Sequence, residues 1–315
     1  MDLRLPKAVT LVEVGLRDGL QSVGHMVPTA TKVRLLQALY AAGVRAMEVT
    51  SFVSPKAVSQ FTDAEEVARA ALALPGLRVS ALIPNLRGWE RARGVGVREV
   101  TVVIGATDRF NMANVRMTVD QSLAQLAGIM EAVGAEPGVA VEVGIAVAFG
   151  CPYTGRVPLA AVRRIIDRSV ELGVGSVSLA DTIGVATPLD VVAGLTGVRA
   201  ACPNLPLSLH LHDTRGMGLA NALAALHVGV TTFDGAVGGL GGCPFAPGAT
   251  GNVATDDLNN MLTGMGIATG INQDGLLACG GILHDEVTVD LPSHALRVFL
   301  GQATGRGDPN GVNAG

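Results

Sequence analysis

Residues 207–214 read Leu-Ser-Leu-His-Leu-His-Asp-Thr. Apolar and polar side chains alternate with period two, the pattern of a β-strand with two unlike faces. His210 and His212 therefore project to the same side, and Asp213 follows where the strand ends. Two inward histidines can be hydrogen-bonded core residues, or they can share one metal-sized space. Which reading holds depends on where the strand ends in the fold.

Short apolar or β-branched runs recur along the chain: Thr10 to Val14, Ala46 to Thr50, Arg78 to Ile83, Glu99 to Ile104, Val139 to Ala148, Ser176 to Ala180, Leu207 to His212 and Thr232 to Val237. Each precedes a helix-period stretch, at Thr29 to Ala42, Thr62 to Leu74, Asn85 to Arg93, Thr118 to Val133, Leu159 to Leu172, Pro188 to Ala200, Leu219 to His227 and Ala254 to Gly264. Eight such units in about 260 residues predict an α/β fold, a (β/α)8 TIM barrel. An open doubly wound sheet would need a switch-point glycine fingerprint, and no GxGxxG follows the first strand. The expected organisation is a catalytic barrel over residues 1–268, a short C-terminal helical appendage over 269–300, with pieces near Gln273 to Ala278 and Ser293 to Leu300, and a disordered tail over 301–315.

Composition narrows the function. With 49% hydrophobic and 16% charged residues the chain is too apolar to be disordered. A net charge of −4 and 3% aromatic residues leave neither a basic footprint nor stacking platforms for nucleic acid. The best apolar run, Val139 to Phe149, carries Glu142 and stops before Cys151-Pro152, so no membrane span is expected. The N-terminal residues carry no recognisable leader, which makes a cytoplasmic location the expectation. Cys151, Cys202, Cys243 and Cys279 are far apart with no CxxC and read as free thiols.

In a barrel enzyme the chemistry collects at the C-terminal ends of the strands, and polar residues crowd there. Strand one ends in Glu13, followed by Arg17, Asp18 and Gln21; strand two carries Glu48; strand six ends in Asp181. In that setting His210 and His212 read as metal ligands, with Asp18 and Asn252 as candidates to complete the set. Two imidazoles, a carboxylate and an amide, with no thiolate, form a mostly hard site suited to Mg2+ or Mn2+. Taken singly, Asp18 could close a turn and Asn252 could brace its loop. Between Gly238 and Asn252 stand six glycines, two prolines and one thiol, Cys243. A cysteine in a glycine-rich loop at the catalytic end points to a chemical role.

The segments VEVGLRDGLQ, EVTSFVSPK, LADTIGVATP, HLHDTRGMGLAN and GGLGGCPFAPGATGNVATDDLNNML together resemble the hydroxymethylglutaryl-CoA lyase family, from about Val9 to Asn272. That family belongs to a metal-dependent barrel superfamily that also holds isopropylmalate and homocitrate synthases; the GLGGCP loop with its cysteine separates the lyases from those synthases. The resemblance implies retro-Claisen cleavage of a hydroxymethylglutaryl-CoA-like substrate to acetoacetate, or another ketone or keto acid, and acetyl-CoA. It implies a divalent cation on Asp18, His210, His212 and Asn252, with Arg17 opposing the enolate charge and Cys243 as acid. The base is Asp18 or a hydroxide at the cation, with His210 as shuttle, and Glu13, Gln21, Glu48 and Asp181 support the site. It further implies an acyl-CoA partner, a homodimer, and a place in leucine degradation or ketone-body formation.

Several positions depart from the family pattern. Ser22-Val23-Gly24 follows RDGLQ in place of Asn-Glu-Lys, Thr107-Asp108 replaces Ser-Glu, and Asn114-Val115-Arg116 replaces Asn-x-Asn. Glu142 stands where arginine is usual, and Arg215 and Met217 replace Tyr and Gln. A related lyase substrate such as citramalyl-CoA, a condensing synthase, or an inert CoA-ester-binding barrel are the alternatives.

Overall fold

In the computed structural model, which describes residues 5–134, 136–242 and 251–303, the alternation of strand and helix closes into a barrel. Its parallel strands are β1 (Thr10–Glu13), β2 (Ala46–Ser51), β3 (Arg78–Leu82), β4 (Glu99–Gly105), β5 (Ala140–Ala146), β6 (Ser176–Asp181), β7 (Leu207–Leu211) and β8 (Thr232–Gly235). They pair in sequence order, and β1 closes the ring against β8, with Thr10 opposite Thr232 and Glu13 opposite Gly235. The barrel helices are α1 (Thr29–Ala41), α2 (Ala64–Leu72), α3 (Leu86–Gly94), α4 (Asp108–Val115), α5 (Val119–Gly134), α6 (Leu159–Glu171), α7 (Pro188–Ala201), α8 (Gly218–His227) and α9 (Thr255–Gly264).

The expected barrel strands and helices are all present, with ends shifted by at most two residues, whereas the two C-terminal pieces run four and three residues further than expected. The largest strand difference is at β5, which stops at Ala146 because Val147 takes φ +53°, incompatible with an extended strand, and donates its N–H to Thr182 Oγ1 at 2.8 Å. Helix α4 was not expected. Its sequence, DRFNMANV, shows no clean apolar period, and it is held by polar contacts: Thr107 accepts from Phe110 N, and buried Asn111 accepts from Gly105 N at 2.9 Å.

Along β5, β6 and β7, one alternating set of residues points outward into the shell of helices. Val141, Val143, Ile145, Val177, Leu179, Leu209 and Leu211 are all buried there. Burial of such side chains stabilises by roughly 1.5–3 kcal/mol each. The other set, Glu142, Gly144, Ser178 and His210, faces inward and lines a cavity. A barrel interior is ordinarily filled by layers of large branched residues; here small and polar side chains leave it hollow.

Beyond the barrel, α10 (Gln273–Ile282), a π-turn at Leu283–Val287 and α11 (His294–Ala303) pack back on it. Leu276, Cys279 and Leu283 share a core with Leu35, Leu36 and Leu39 of α1. Gly43 permits the close approach: its φ is +101°, and a Cβ there would lie 2.4 Å from Gly270 O. The N–H groups of His294 and Ala295, which open α11, donate to the Asp257 carboxylate at 3.0 and 2.8 Å. Helix α11 runs three residues past Leu300, where the tail was expected to start, because capping by Asp257 and packing of Leu296 anchor it. The rest of that expected tail, 304–315, lies outside the described residues.

Candidate active site

Strand β7 ends at Leu211, so His210 lies on its last turn of pleat and His212 just beyond it. Their Nε2 atoms are 3.1 Å apart. Asp18 arrives from the β1 end, two strands from β7 around the ring, on a π-helical turn, Gly15–Gly19, in which the Asp18 N–H donates to Val14 O at 2.7 Å. Asp18 Oδ2 lies 3.8 Å from His210 Nε2 and 4.0 Å from His212 Nε2. A six-coordinate cation with bonds of about 2.1 Å sets its ligands about 3.0 Å apart when adjacent and about 4.2 Å apart when opposite. These three donor atoms already span that range and fit a divalent ion.

The second nitrogen of His210 explains its orientation. Nδ1 lies 3.0 Å from Asp234 Oδ2, and since a carboxylate only accepts, Nδ1 carries the proton and Nε2 presents its lone pair inward. Burial lowers the proton affinity of this ring, but the Asp234 bond and the Asp18 and Asp234 charges more than restore it, for a net upward shift. His212 is pushed down to about 4, by burial and then by His210, so it stays neutral and able to ligate. Burial pushes the Asp18 carboxyl up, yet the Arg17 guanidinium and both imidazoles outweigh burial and hold it well below the usual carboxylate range. Asn252 sits beside the triad and donates Nδ2–H to Asp18 Oδ2 at 3.0 Å and to Leu240 O at 3.1 Å. Its place depends on Gly251, where a Cβ would lie 2.6 Å from the Gly241–Gly242 backbone.

Arg17 lies between two carboxylates, bonded to Glu48 through Nε and to Asp18 through Nη1. Burial opposes its charge, but Glu48 and Asp18 restore it, so the guanidinium stays charged at the rim of the cavity. That cavity measures about 1100 Å³ and contains the triad, Arg17, Gln21 and Glu48 in its wall. Cys243 falls outside the described residues, between Gly242 on the cavity wall and Gly251.

A family profile described as HMGL-like matches residues 8–281. The chain belongs to the HMGL-like family. The mitochondrial hydroxymethylglutaryl-CoA lyase of Rattus norvegicus is 43% identical over 279 residues, 89% of this chain and 86% of that one. The (R)-citramalyl-CoA lyase of Chloroflexus aurantiacus is 40% identical over 297 residues, 91% and 93% of the two chains. The structure of an HMG-CoA lyase from Acinetobacter baumannii, in complex with coenzyme A and 3-methylmalate, superposes with a TM-score of 0.87 at 37% identity, covering 98% of each chain. The HMGL-like chain is thus an enzyme, a lyase by the names of its relatives, built on a TIM barrel. Among the described residues no helix is long and apolar enough to cross a membrane.

Two of the expected supporting carboxylates in this HMGL-like chain hold loops and touch neither histidine. Glu13 accepts from Gly15 N at 2.8 Å, Val237 N at 3.0 Å and Thr255 Oγ1 at 2.5 Å, which ties β1 to the π-turn, the β8 loop and α9. Asp181 accepts from Val185 N and Ala186 N at 3.0 Å and shapes the β6–α7 loop. Exposed Gln21 reaches only the cavity rim. Asp234, bonded to His210, was missed by sequence reasoning. Its signal is faint, because TFDG is a short strand in which one acid at an inward position is the whole clue.

Two measurements check this geometry. Asp234→Ala should weaken divalent-cation binding by about 10- to 100-fold in calorimetry while the fold persists, as expected for loss of a carboxylate that orients a ligating histidine. Unchanged affinity would remove Asp234 from the site. Burial lifts the Glu13 carboxyl to about 7, against its hydrogen bonds, which lower it. The folded state thus binds this proton more tightly than the unfolded chain, so the contribution is full below about 4.5 and lost as pH rises through about 7. Glu142 and Asp256, lifted by burial to about 7 and about 6, act in the same direction. The melting temperature should fall between about pH 5 and 8, and Glu13→Gln should flatten that slope; an equal slope in the variant would refute Glu13 as a source.

Proposed function

We propose that this protein cleaves a 3-hydroxy-3-alkyl acyl-CoA of the hydroxymethylglutaryl-CoA type between carbons two and three, releasing acetyl-CoA and a ketone or keto acid. One observation carries the reading: Asp18, His210 and His212 converge at the barrel mouth beside the charged Arg17, on the wall of one cavity. The residues fit a hard divalent ion, Mg2+ or Mn2+, held by Asp18, His210 and His212, with Asn252 completing the set. Held there, such an ion would supply Lewis acidity that makes the substrate's tertiary hydroxyl easier to deprotonate.

Bond cleavage needs a proton removed from the hydroxyl, a place for the enolate charge, and a proton returned to carbon two. Asp18 is kept ionised beside the hydroxyl and receives the first proton, while His210 is held by Asp234 as a ligand. The Arg17 guanidinium, fixed by Glu48 and Asp18, faces the developing enolate without having to reorganise. Cys243 supplies the proton that turns the enolate into the methyl group of acetyl-CoA. Glu13 holds the turn that carries Arg17 and Asp18.

The likeness to a citramalyl-CoA lyase favours a second reading within the same chemistry, in which the acid-bearing arm is one carbon shorter. Both thioesters should therefore be offered at saturating Mg2+, with acetyl-CoA and ketone measured together. A one-to-one yield supports cleavage, and the ratio of kcat/KM values picks the arm; consumption of acetyl-CoA with an α-keto acid would make the protein a condensing synthase.

A further inference from the structure

Below the triad the barrel is hollow, and its deep end differs in chemistry from its mouth. Glu142 on β5 accepts from Ser176 Oγ at 3.0 Å and Ser208 Oγ at 3.2 Å, both on Oε2, so its other oxygen takes part in neither bond. Ser208 lies two residues before His210 on the same face of β7, which sets this acid one side-chain layer, about 6.6 Å, deeper than the cation site. Ser178, also on the cavity wall, is 4% exposed, and its hydroxyl has no hydrogen-bond partner. A buried, unpaired hydroxyl carries a cost that a ligand can remove.

Charge and volume point the same way. Glu48, Glu142 and Asp234 line this space, and Arg17 is the single Arg or Lys among the described lining residues, already paired with Glu48 and Asp18. A carboxylate entering the deep end would meet Glu142, with Glu48 and Asp234 above it, and no unpaired Arg or Lys among the described lining residues. Gly144 adds room for one methyl group: a Cβ there would meet Val103 Cγ2 at 3.4 Å and Thr101 Cγ2 at 3.7 Å, ordinary contact distances.

We propose that the hollow barrel interior beneath the cation site is a subsite for the carbon-three branch of the substrate, and that it selects branches ending in a hydroxyl over branches ending in a carboxylate. The branch oxygen donates to Glu142 and accepts from Ser178. The inference rests on the lyase reading for its substrate head group and adds what that head group carries.

The test uses 3-hydroxyglutaryl-CoA thioesters bearing 4-hydroxybutyl, pentyl, 4-aminobutyl or 3-carboxypropyl at carbon three. With Mg2+, kcat/KM for the hydroxybutyl compound should exceed the pentyl one by about 10-fold and the carboxypropyl one by about 100-fold, in line with a site built to pair a substrate hydroxyl. Glu142→Gln should narrow the hydroxyl-to-carboxylate ratio by about 10-fold, and Gly144→Leu should lower the ratio of long-branched to methyl-branched rates by a similar factor. Preference for the pentyl, amino or carboxylate branch, or ratios unmoved in both variants, would overturn the subsite. If nothing is cleaved, calorimetric binding of the same compounds decides: the same order of Kd, changed by Glu142→Gln, keeps the subsite and rejects the lyase reading, while no order rejects the subsite.

Discussion

Arg17→Met is expected to lose about 10²- to 10³-fold in kcat and about 3–5 kcal/mol of stability together. The rate should fall because, in the proposed reaction, the guanidinium opposes the developing enolate charge. Stability falls because Glu48, whose side chain is 5% exposed, and Asp18 lose their shared cation and are left as buried like charges. The two effects separate in a second variant. Adding Glu48→Gln to Arg17→Met should restore most of the urea midpoint and none of the rate. If the double variant regained turnover, Arg17 would be a structural clamp, and the enolate charge would have to be met elsewhere.

Cys243→Ser should melt and bind Mg2+ like the parent protein and lose ~10²- to 10⁴-fold in turnover, the range for removing one positioned acid. A serine hydroxyl is similar in size to a thiol but far less acidic, so protonation of the enolate slows while substrate binding persists. Exchange of the acetyl-CoA methyl protons with deuterated solvent isolates this step and should slow in parallel. A fully active Cys243→Ser variant would move the proton donor to another residue and revive the condensing alternative.

The barrel was legible because its signals are local and repeated. Thr187-Pro-Leu-Asp190 announces α7 with a capping box and a proline at its first turn, both of which form. Strand period two on LSLHLHDT was enough to put His210 and His212 on one side, and the RDG turn supplied Asp18. What escaped depends on contacts between distant segments. The role of Asp234 follows from its register opposite His210, which one strand cannot reveal. Glu13 and Asp181 read as site carboxylates because they end strands, whereas their oxygens are taken up by loop N–H groups and, for Glu13, the Thr255 hydroxyl. The hollow interior arises from Gly144, Ser178 and other small inward residues on separate strands, which leave a cavity only when the barrel closes.

The central claim, carbon–carbon cleavage that depends on the cation at Asp18, His210 and His212, is tested most directly by a metal titration of the stripped protein. Acetyl-CoA release from hydroxymethylglutaryl-CoA and citramalyl-CoA would be followed as Mg2+ is added, with binding to the same protein followed by calorimetry. Release from at least one thioester should rise in step with occupancy of a single site, vanish with EDTA, and be absent in His212→Ala at the same Mg2+ concentration. Release that is unchanged in EDTA, or that persists in His212→Ala without bound cation, would contradict it.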